Sequence, residues 1–219
     1  MKIRTIDQLL DKVSAERVWR IREISSLRSQ CYAKNLPDHA AKALRRSFVP
    51  IAYAHWEGFV KKTAHYYLEL VAMQRLPLGE LNSSFMSLYL WKEYATSLSR
   101  GKASSLVEVC NALTTQNTTQ VRIHFKDVIP TNSNLDSKTL YEICSILGLS
   151  FDPFKTKALF IDATLVGQRN HIAHGEDQEI SKDDMEDIKE EVVGLIDTFR
   201  TEVENAATSS AFKRTPNVA

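Results

Sequence analysis

The feature that most restricts the fold is an apolar repeat near the end of the chain. Its apolar residues recur every three or four positions, which places them on one side of an α-helix. Ser181 and Asp184 precede the repeat and resemble a capping box, the arrangement that starts many helices. The sequence therefore predicts a long amphipathic helix here, whose inner side consists of Met185, Ile188, Val192, Leu195, Ile196, Phe199 and Val203.

The same spacing recurs along most of the chain and predicts helices throughout. Residues 6–31 form one long segment, and residues 40–73 are apolar on two sides, as expected of a central helix, although Pro50 should kink or restart it. Shorter helices are predicted over 84–98, 104–113 and 140–147, and in a segment that opens at Asp152-Pro153 and turns Leu159, Ala163 and Val166 inward.

These segments predict an all-α fold, an antiparallel bundle of about six helices. With 7 Gly and 6 Pro among 219 residues, the chain has too few turn residues for an all-β protein. Residues 1–204 are expected to form one helical domain, and residues 205–219, which lack periodicity, a disordered C-terminal tail. Residues 114–134 are polar and β-branched and fit either a short strand or an extended loop.

The charge is unevenly distributed, although the net charge is only +1. Residues 1–102 carry +8 and residues 103–219 carry −7. Such asymmetry indicates either a basic face for a polyanion or oppositely charged helices that pack side by side. The sequence alone leaves both readings open.

The cysteines and the N-terminus indicate a cytoplasmic protein. Cys31, Cys110 and Cys144 are isolated and form no CxxC pair, so they favour reduced thiols over a zinc or redox motif. The first twelve residues include several charged side chains and lack the apolar core that a signal peptide has. No apolar run is long enough to span a membrane, so no membrane partner is expected.

The segment with the clearest chemistry is Gly167-Gln-Arg-Asn-His-Ile-Ala-His-Gly-Glu176, between the last two predicted helices. Cleavage of RNA by its own 2′-hydroxyl needs a base, an acid and a positive charge near the phosphate. Histidine can exchange a proton near neutral pH, and arginine offers a fixed cationic fork for phosphate oxygens. We therefore identify Arg169, Asn170 and His174 as candidate catalytic residues, in a reaction that needs no metal or other cofactor.

The spacing of this segment imposes a geometric constraint. Residues five apart on a straight α-helix point about 140° away from each other. Arg169 and His174 would therefore not converge on one helix. Either the helix ends near Asn170 or His171, or the site is assembled from two chains.

A helical bundle with RNxxxHG at this junction resembles the HEPN superfamily (higher eukaryotes and prokaryotes nucleotide-binding). The stretches 53–61, YAHWEGFVK, and 133–135, SNL, are similar to the MAE-type branch of that superfamily. The resemblance covers roughly residues 1–203. It implies a metal-independent endoribonuclease that leaves a 2′,3′-cyclic phosphate, and a homodimer whose cleft combines the motifs of both protomers. It also implies a toxin or antiviral effector, with an antitoxin or a related HEPN subunit as a further partner.

Several candidate residues also have structural readings. His171 could share the proton transfer or cap a helix end. Arg169 could simply pair with Glu176 or Asp177. Glu57 is either a carboxylate that orients Arg169 or His174, which the resemblance favours slightly, or the partner of Lys61 one turn later.

RNA binding is predicted for basic residues on the first two helices, namely Arg17, Arg20, Lys61 and Lys62. His55 lies on a buried stripe and is expected to be a core histidine. Two functions other than ribonuclease stay open. One is a non-catalytic HEPN module that binds a nucleotide or a partner, and the other is a helical adaptor in which RNHIAHG only ends a helix.

Overall fold

The periodic segments fold as helices, and the three longest form the core. The computed structural model describes residues 2–34, 36–115, 118–129 and 134–215. In these ranges the α-helices are α1 (Ile6–Cys31), α2 (Asp38–Gln74), α3 (Ser83–Glu93), α4 (Ala95–Ser99), α5 (Ala103–Thr115), α6 (Ser137–Leu147), α7 (Arg169–Ala173) and α8 (Lys182–Thr208). Two 3₁₀ segments (Leu78–Glu80 and Asp152–Lys157) and one π-helical segment (Phe160–Gln168) join them.

This architecture confirms the all-α prediction. Six of the α-helices in the described ranges have eleven residues or more, which matches the expected number. No strand forms among those residues. Residues 118–129 run as an extended segment that bonds to the end of α2, with Val121 N–H donating to the Leu76 carbonyl at 3.1 Å.

Helix α2 is the central helix, as its two apolar sides predicted. It packs against both α1 and α8 and continues through Pro50 without a break. Its largest side chains are fully buried, among them Trp56, which meets Phe199 of α8 edge to face at 6.3 Å. His55 is 6% exposed and packs against Trp19 of α1, so it is a core histidine.

The capping box at the start of α8 forms as predicted. The Ser181 hydroxyl accepts from the Asp184 N–H at 3.0 Å, and the Asp184 carboxylate accepts from the Ser181 N–H at 2.9 Å. From this start the predicted stripe lies inward, and all seven of its apolar residues are buried. Local sequence therefore determines both the beginning and the orientation of α8.

Part of the charge asymmetry is paired internally between helices. Arg17 on α1 forms a two-pronged ion pair with Asp197 on α8, and Arg28 donates to Glu186 at 2.6 Å. Basic α1 thus lies beside acidic α8, which supports packing of oppositely charged helices.

Residues 205–215 differ from the disordered tail predicted for residues 205–219, of which 216–219 lie outside the described residues. Helix α8 continues to Thr208, and Phe212 is only 5% exposed. Its carbonyl accepts from Asn82 N–H at 2.9 Å, and Arg214 N–H donates to the Glu80 carbonyl at 2.8 Å. These contacts fold the segment back onto the turn before α3, where a polar sequence without periodicity gains its order from backbone bonds.

Among the described residues, no helix has both the length and the apolar character that are needed to cross a membrane.

Candidate active site

The RNxxxHG segment ends a helical run whose first part has unusual geometry. Residues Phe160–Gln168 are π-helical, and α7 continues from them without interruption. The wider π turn changes which side chains face inward: Ile161 and Leu165 are fully buried, whereas Leu159 is 79% exposed. The predicted inner positions Leu159 and Ala163 were therefore wrong, whereas Val166, also predicted to face inward, is buried. Stretches of π-helix are rare and often lie at functional sites.

Asp162 anchors the π-helical segment to the start of α6. Its carboxylate accepts from the Ser137 N–H at 2.7 Å and from the Ser137 hydroxyl at 2.6 Å. The chain that precedes Ser137 is thereby held close to the helix that carries the motif.

Gly175 ends α7 directly after His174. It adopts φ +82°, a conformation that disfavours any side chain. Gly175 N–H donates to the Ile172 carbonyl and Glu176 N–H donates to the His171 carbonyl, which together form a Schellman motif. His174 is the C-cap residue of this motif and is exposed to solvent. The final glycine of RNxxxHG thus presents the histidine at a helix end.

Arg169 is held against α2. Its Nη2 donates to the Asn134 side-chain oxygen at 2.5 Å. Its guanidinium carbon lies 4.3 Å from the centre of the Tyr53 ring, a cation–π arrangement. Both contacts orient a permanently charged fork without neutralising it.

Tyr53 also fixes the segment that carries Asn134. Its hydroxyl oxygen accepts from the Leu135 N–H at 2.6 Å, and both residues are buried. Burial raises the pKa of the Tyr53 hydroxyl, although hydrogen bonds with Leu135 and Arg169 act in the opposite direction. The hydroxyl is therefore protonated at neutral pH. Through these contacts Tyr53 connects α2 with Leu135 and Arg169.

Glu57 has the structural partner that the sequence allowed. Lys61 donates to its carboxylate at 2.7 Å, four residues along α2. Tyr53, Glu57 and Lys61 follow one another at four-residue spacing and so share one side of α2. Glu57 is close enough for its charge to raise the pKa of Tyr53. The structure thus places Glu57 beside the tyrosine that holds Arg169, with Lys61 as its direct partner.

The suggested pairing of Arg169 with Glu176 or Asp177 does not occur. Glu176 lies 2.5 Å from His171 Nδ1, and Asp177 bonds to Arg46 at 3.1 Å. His171 is exposed, and its ring contacts a carboxylate instead of capping a carbonyl.

The motif residues of one chain have different surroundings, and their divergence stays a prediction of the helical spacing. Arg169 faces α2, His174 is exposed at the end of α7, and Asn170 between them is half-buried. A single chain therefore presents one cationic fork and two exposed histidines at the end of α7, of which His171 contacts Glu176.

The residues predicted to bind RNA are not grouped around this site. Arg20 is 6% exposed and bonds to Glu16, and Arg17 pairs with Asp197. Both guanidinium groups are engaged within the bundle, and RNA binding by these residues stays a prediction. Lys61 is half-buried beside Glu57, and Lys62 is exposed on the same helix.

Tyr53 and Asn134 were not among the predicted site residues. Both lie in stretches that resemble the HEPN superfamily, at 53–61 and 133–135, and that resemblance was the available signal. Ser133, the first residue of the second stretch, lies outside the described residues. Within the described residues, no group of three or more histidine, cysteine or acidic side chains is placed to hold a metal ion.

A family model described as RiboL-PSP-HEPN matches residues 15–205 of the chain. The match confirms the predicted superfamily, while the MAE-type branch stays a prediction. Searches of curated proteins and of solved structures found no match.

Proposed function

Because the chain belongs to the RiboL-PSP-HEPN family, we propose that it is an endoribonuclease that cleaves RNA without a metal. The observation that carries the proposal is the arrangement of the RNxxxHG segment. Asn134 and Tyr53 of α2 orient the guanidinium group of Arg169, and α7 presents His174 at its end. A toxin or antiviral role, inhibited or completed by a second protein, remains part of this proposal.

The reaction follows from the two side chains. A base removes the proton of the 2′-hydroxyl, the 2′-oxygen attacks the phosphorus, and the bond to the 5′-oxygen breaks. An acid returns a proton to that oxygen, which leaves a cyclic phosphate and a 5′-hydroxyl. His174 suits the proton transfer, and Arg169 stabilises the charge that develops on the phosphate oxygens.

A second copy of the chain supplies the second proton-transfer group. One chain presents His174 at its exposed helix end, while His171 contacts Glu176 and Arg169 stacks on Tyr53 of α2. Two copies related by a two-fold axis would bring two histidines and two arginines to one cleft. We therefore propose a homodimer with a composite site that includes α7 and its flanking segments. A measurement that detects monomer alone, in solution at micromolar concentration, would contradict this assembly.

The test is cleavage of total RNA by purified protein in excess EDTA. His174→Ala and Arg169→Ala should each lower the rate by at least about 100-fold, the order expected when an acid–base or charge-stabilising group is lost. His39→Ala is the matched control, because His39 is also exposed and lies outside the motif. Unchanged cleavage by folded His174→Ala protein would contradict the mechanism.

The products and substrates separate this chemistry from that of metal nucleases. We expect a 2′,3′-cyclic phosphate and a 5′-hydroxyl, and no cleavage where the sugar carries 2′-deoxy or 2′-O-methyl. Efficient cleavage of DNA, or full dependence on magnesium, would show that the chemistry is different. Binding of nucleotide or of RNA without cleavage would instead favour the non-catalytic module.

A further inference from the structure

A basic cleft lies at the C-terminal end of α2, away from the motif. It is a cavity of about 510 Å³ between the end of α2, the N-terminal residues and the extended segment 118–129. We call this cavity the basic cleft, because five exposed cations line it: Lys2, Arg4, Arg75, Arg122 and Lys126. No aspartate or glutamate lines this cavity among the described residues.

The cations of the basic cleft contrast with several surface arginines that are paired with carboxylates of other segments. Arg17, Arg28 and Arg46 each form an ion pair with a carboxylate of another helix or loop. Across the described ranges, no ion pair joins any of the five cations of the basic cleft to a carboxylate. His124, at the same cavity, does contact Glu93 at 3.0 Å. Five uncompensated charges around one concave surface attract an anion.

The cleft continues along α2 towards the motif. A second cavity of about 350 Å³ shares two residues with it, Phe125 and Lys126. The other residues of the second cavity are Lys61, His65, Asp127 and Ile129. Phe125 lies half-buried between the cavities, with its ring 5.6 Å from that of His65.

Helix α2 links the second cavity to the candidate active site. Lys61 bonds to Glu57, which lies one turn from Tyr53, the residue that stacks on Arg169. From Tyr53 to Arg75 the helix rises about 33 Å, at roughly 1.5 Å per residue. A flexible polyanion of several units could follow this side of α2 and reach both ends.

We propose that the basic cleft binds the phosphates of a single-stranded RNA, several nucleotides from the bond that is cut. A groove of cations with an aromatic side chain for base stacking is the usual design of single-strand binding sites. The identification of the ligand as the RNA substrate rests on the proposed ribonuclease function. The cleft gives affinity through phosphates, so binding should depend strongly on salt and little on sequence.

The experiment measures binding apart from cleavage. The protein carries His174→Ala so that RNA stays intact, and a fluorescent single-stranded RNA of about 15 nucleotides is titrated at several salt concentrations. Loss of two phosphate contacts in Arg122→Ala/Lys126→Ala should weaken binding about 25-fold near 0.1 M salt. It should also reduce the slope of log affinity against log salt by about 1.4, at roughly 0.7 per contact.

Two further variants control for charge and folding. Arg22→Ala/Lys34→Ala removes the same charge from exposed positions near the other end of α1, and should bind RNA as the parent protein does. Arg122→Lys/Lys126→Arg keeps the charge and should keep the affinity. Unchanged affinity and salt slope in folded Arg122→Ala/Lys126→Ala would overturn the proposal, as would an equal loss in both charge-removing variants.

The outcomes separate this proposal from the ribonuclease proposal. If the wild-type protein cleaves RNA and the cleft variants bind it normally, only the cleft proposal fails. If the wild type does not cleave but binding shows the expected dependence, the ribonuclease proposal fails and the RNA-binding cleft stands. Binding to anionic vesicles or acidic peptides in place of RNA, with the same dependence, would overturn the choice of RNA.

Discussion

Two tyrosines of α2 allow a matched test of how the candidate site is held together. Tyr53 and Tyr67 are both buried, at 3% and 0% exposed. The Tyr53 hydroxyl accepts from the Leu135 N–H, whereas the Tyr67 hydroxyl has no hydrogen-bond partner among the described residues. Removal of the hydroxyl oxygen should therefore lower stability at Tyr53 but not at Tyr67.

Tyr53→Phe leaves the buried Leu135 N–H without its acceptor and also removes the hydrogen bond of the hydroxyl with Arg169. A buried N–H without an acceptor costs about 1–3 kcal/mol, while the aromatic face that stacks on Arg169 is kept. Tyr67→Phe removes a hydroxyl that is buried without compensation, and should be neutral or stabilising by about 1 kcal/mol. For a chain of this size, each kcal/mol shifts Tm by about 2–4 °C.

Thermal and urea unfolding of both variants beside the wild type would measure this difference. We expect Tyr53→Phe to melt several degrees below Tyr67→Phe. We also expect it to lower RNA cleavage, because Asn134, which orients Arg169, directly precedes Leu135. Equal stability of the two variants would refute the assignment of a stabilising bond between Tyr53 and Leu135.

Two further predictions concern the stability of the fold, one at glycines of α2 and α8 and one at His55. A Cβ at Gly58 would lie 2.8 Å from Nη1 of Arg20, whereas one at Gly194 in α8 would meet nothing within 4 Å. Gly194→Ala should therefore gain about 0.5–1 kcal/mol in urea unfolding, and Gly58→Ala should lose that gain because Arg20 must move. Burial lowers the pKa of His55, so the unfolded chain takes up the proton first. Stability should fall as pH drops below about 6.5, and His55→Phe should reduce this loss in melts at successive pH values.

Much of the fold was predictable because its causes are local. The stripe from Met185 to Val203 repeats at helical spacing over the whole length of α8, and the capping box marks its start. The RNxxxHG segment was equally visible, since its residues and its terminal glycine lie within seven positions. The divergence of Arg169 and His174 stays a prediction of helical spacing, because each residue of an α-helix turns by about 100°.

Other features were decided by contacts between residues far apart in the chain. Leu159, which directly precedes the π-helical segment, is exposed although the apolar pattern placed it inward. Asp197 of α8 engaged Arg17, a cation that looked available for RNA.

The surroundings of Arg169 and the basic cleft belong to the same class. Tyr53, Asn134 and Arg169 are separated by more than thirty residues at each step, yet they meet at one guanidinium group. The basic cleft collects cations from the N-terminus, the end of α2 and the extended segment. Periodicity and capping determine which segments are helices, because those interactions span only a few residues. The partner of a given charge depends on which segments pack together, so only the tertiary structure decided which cations are paired within the bundle and which line a cleft.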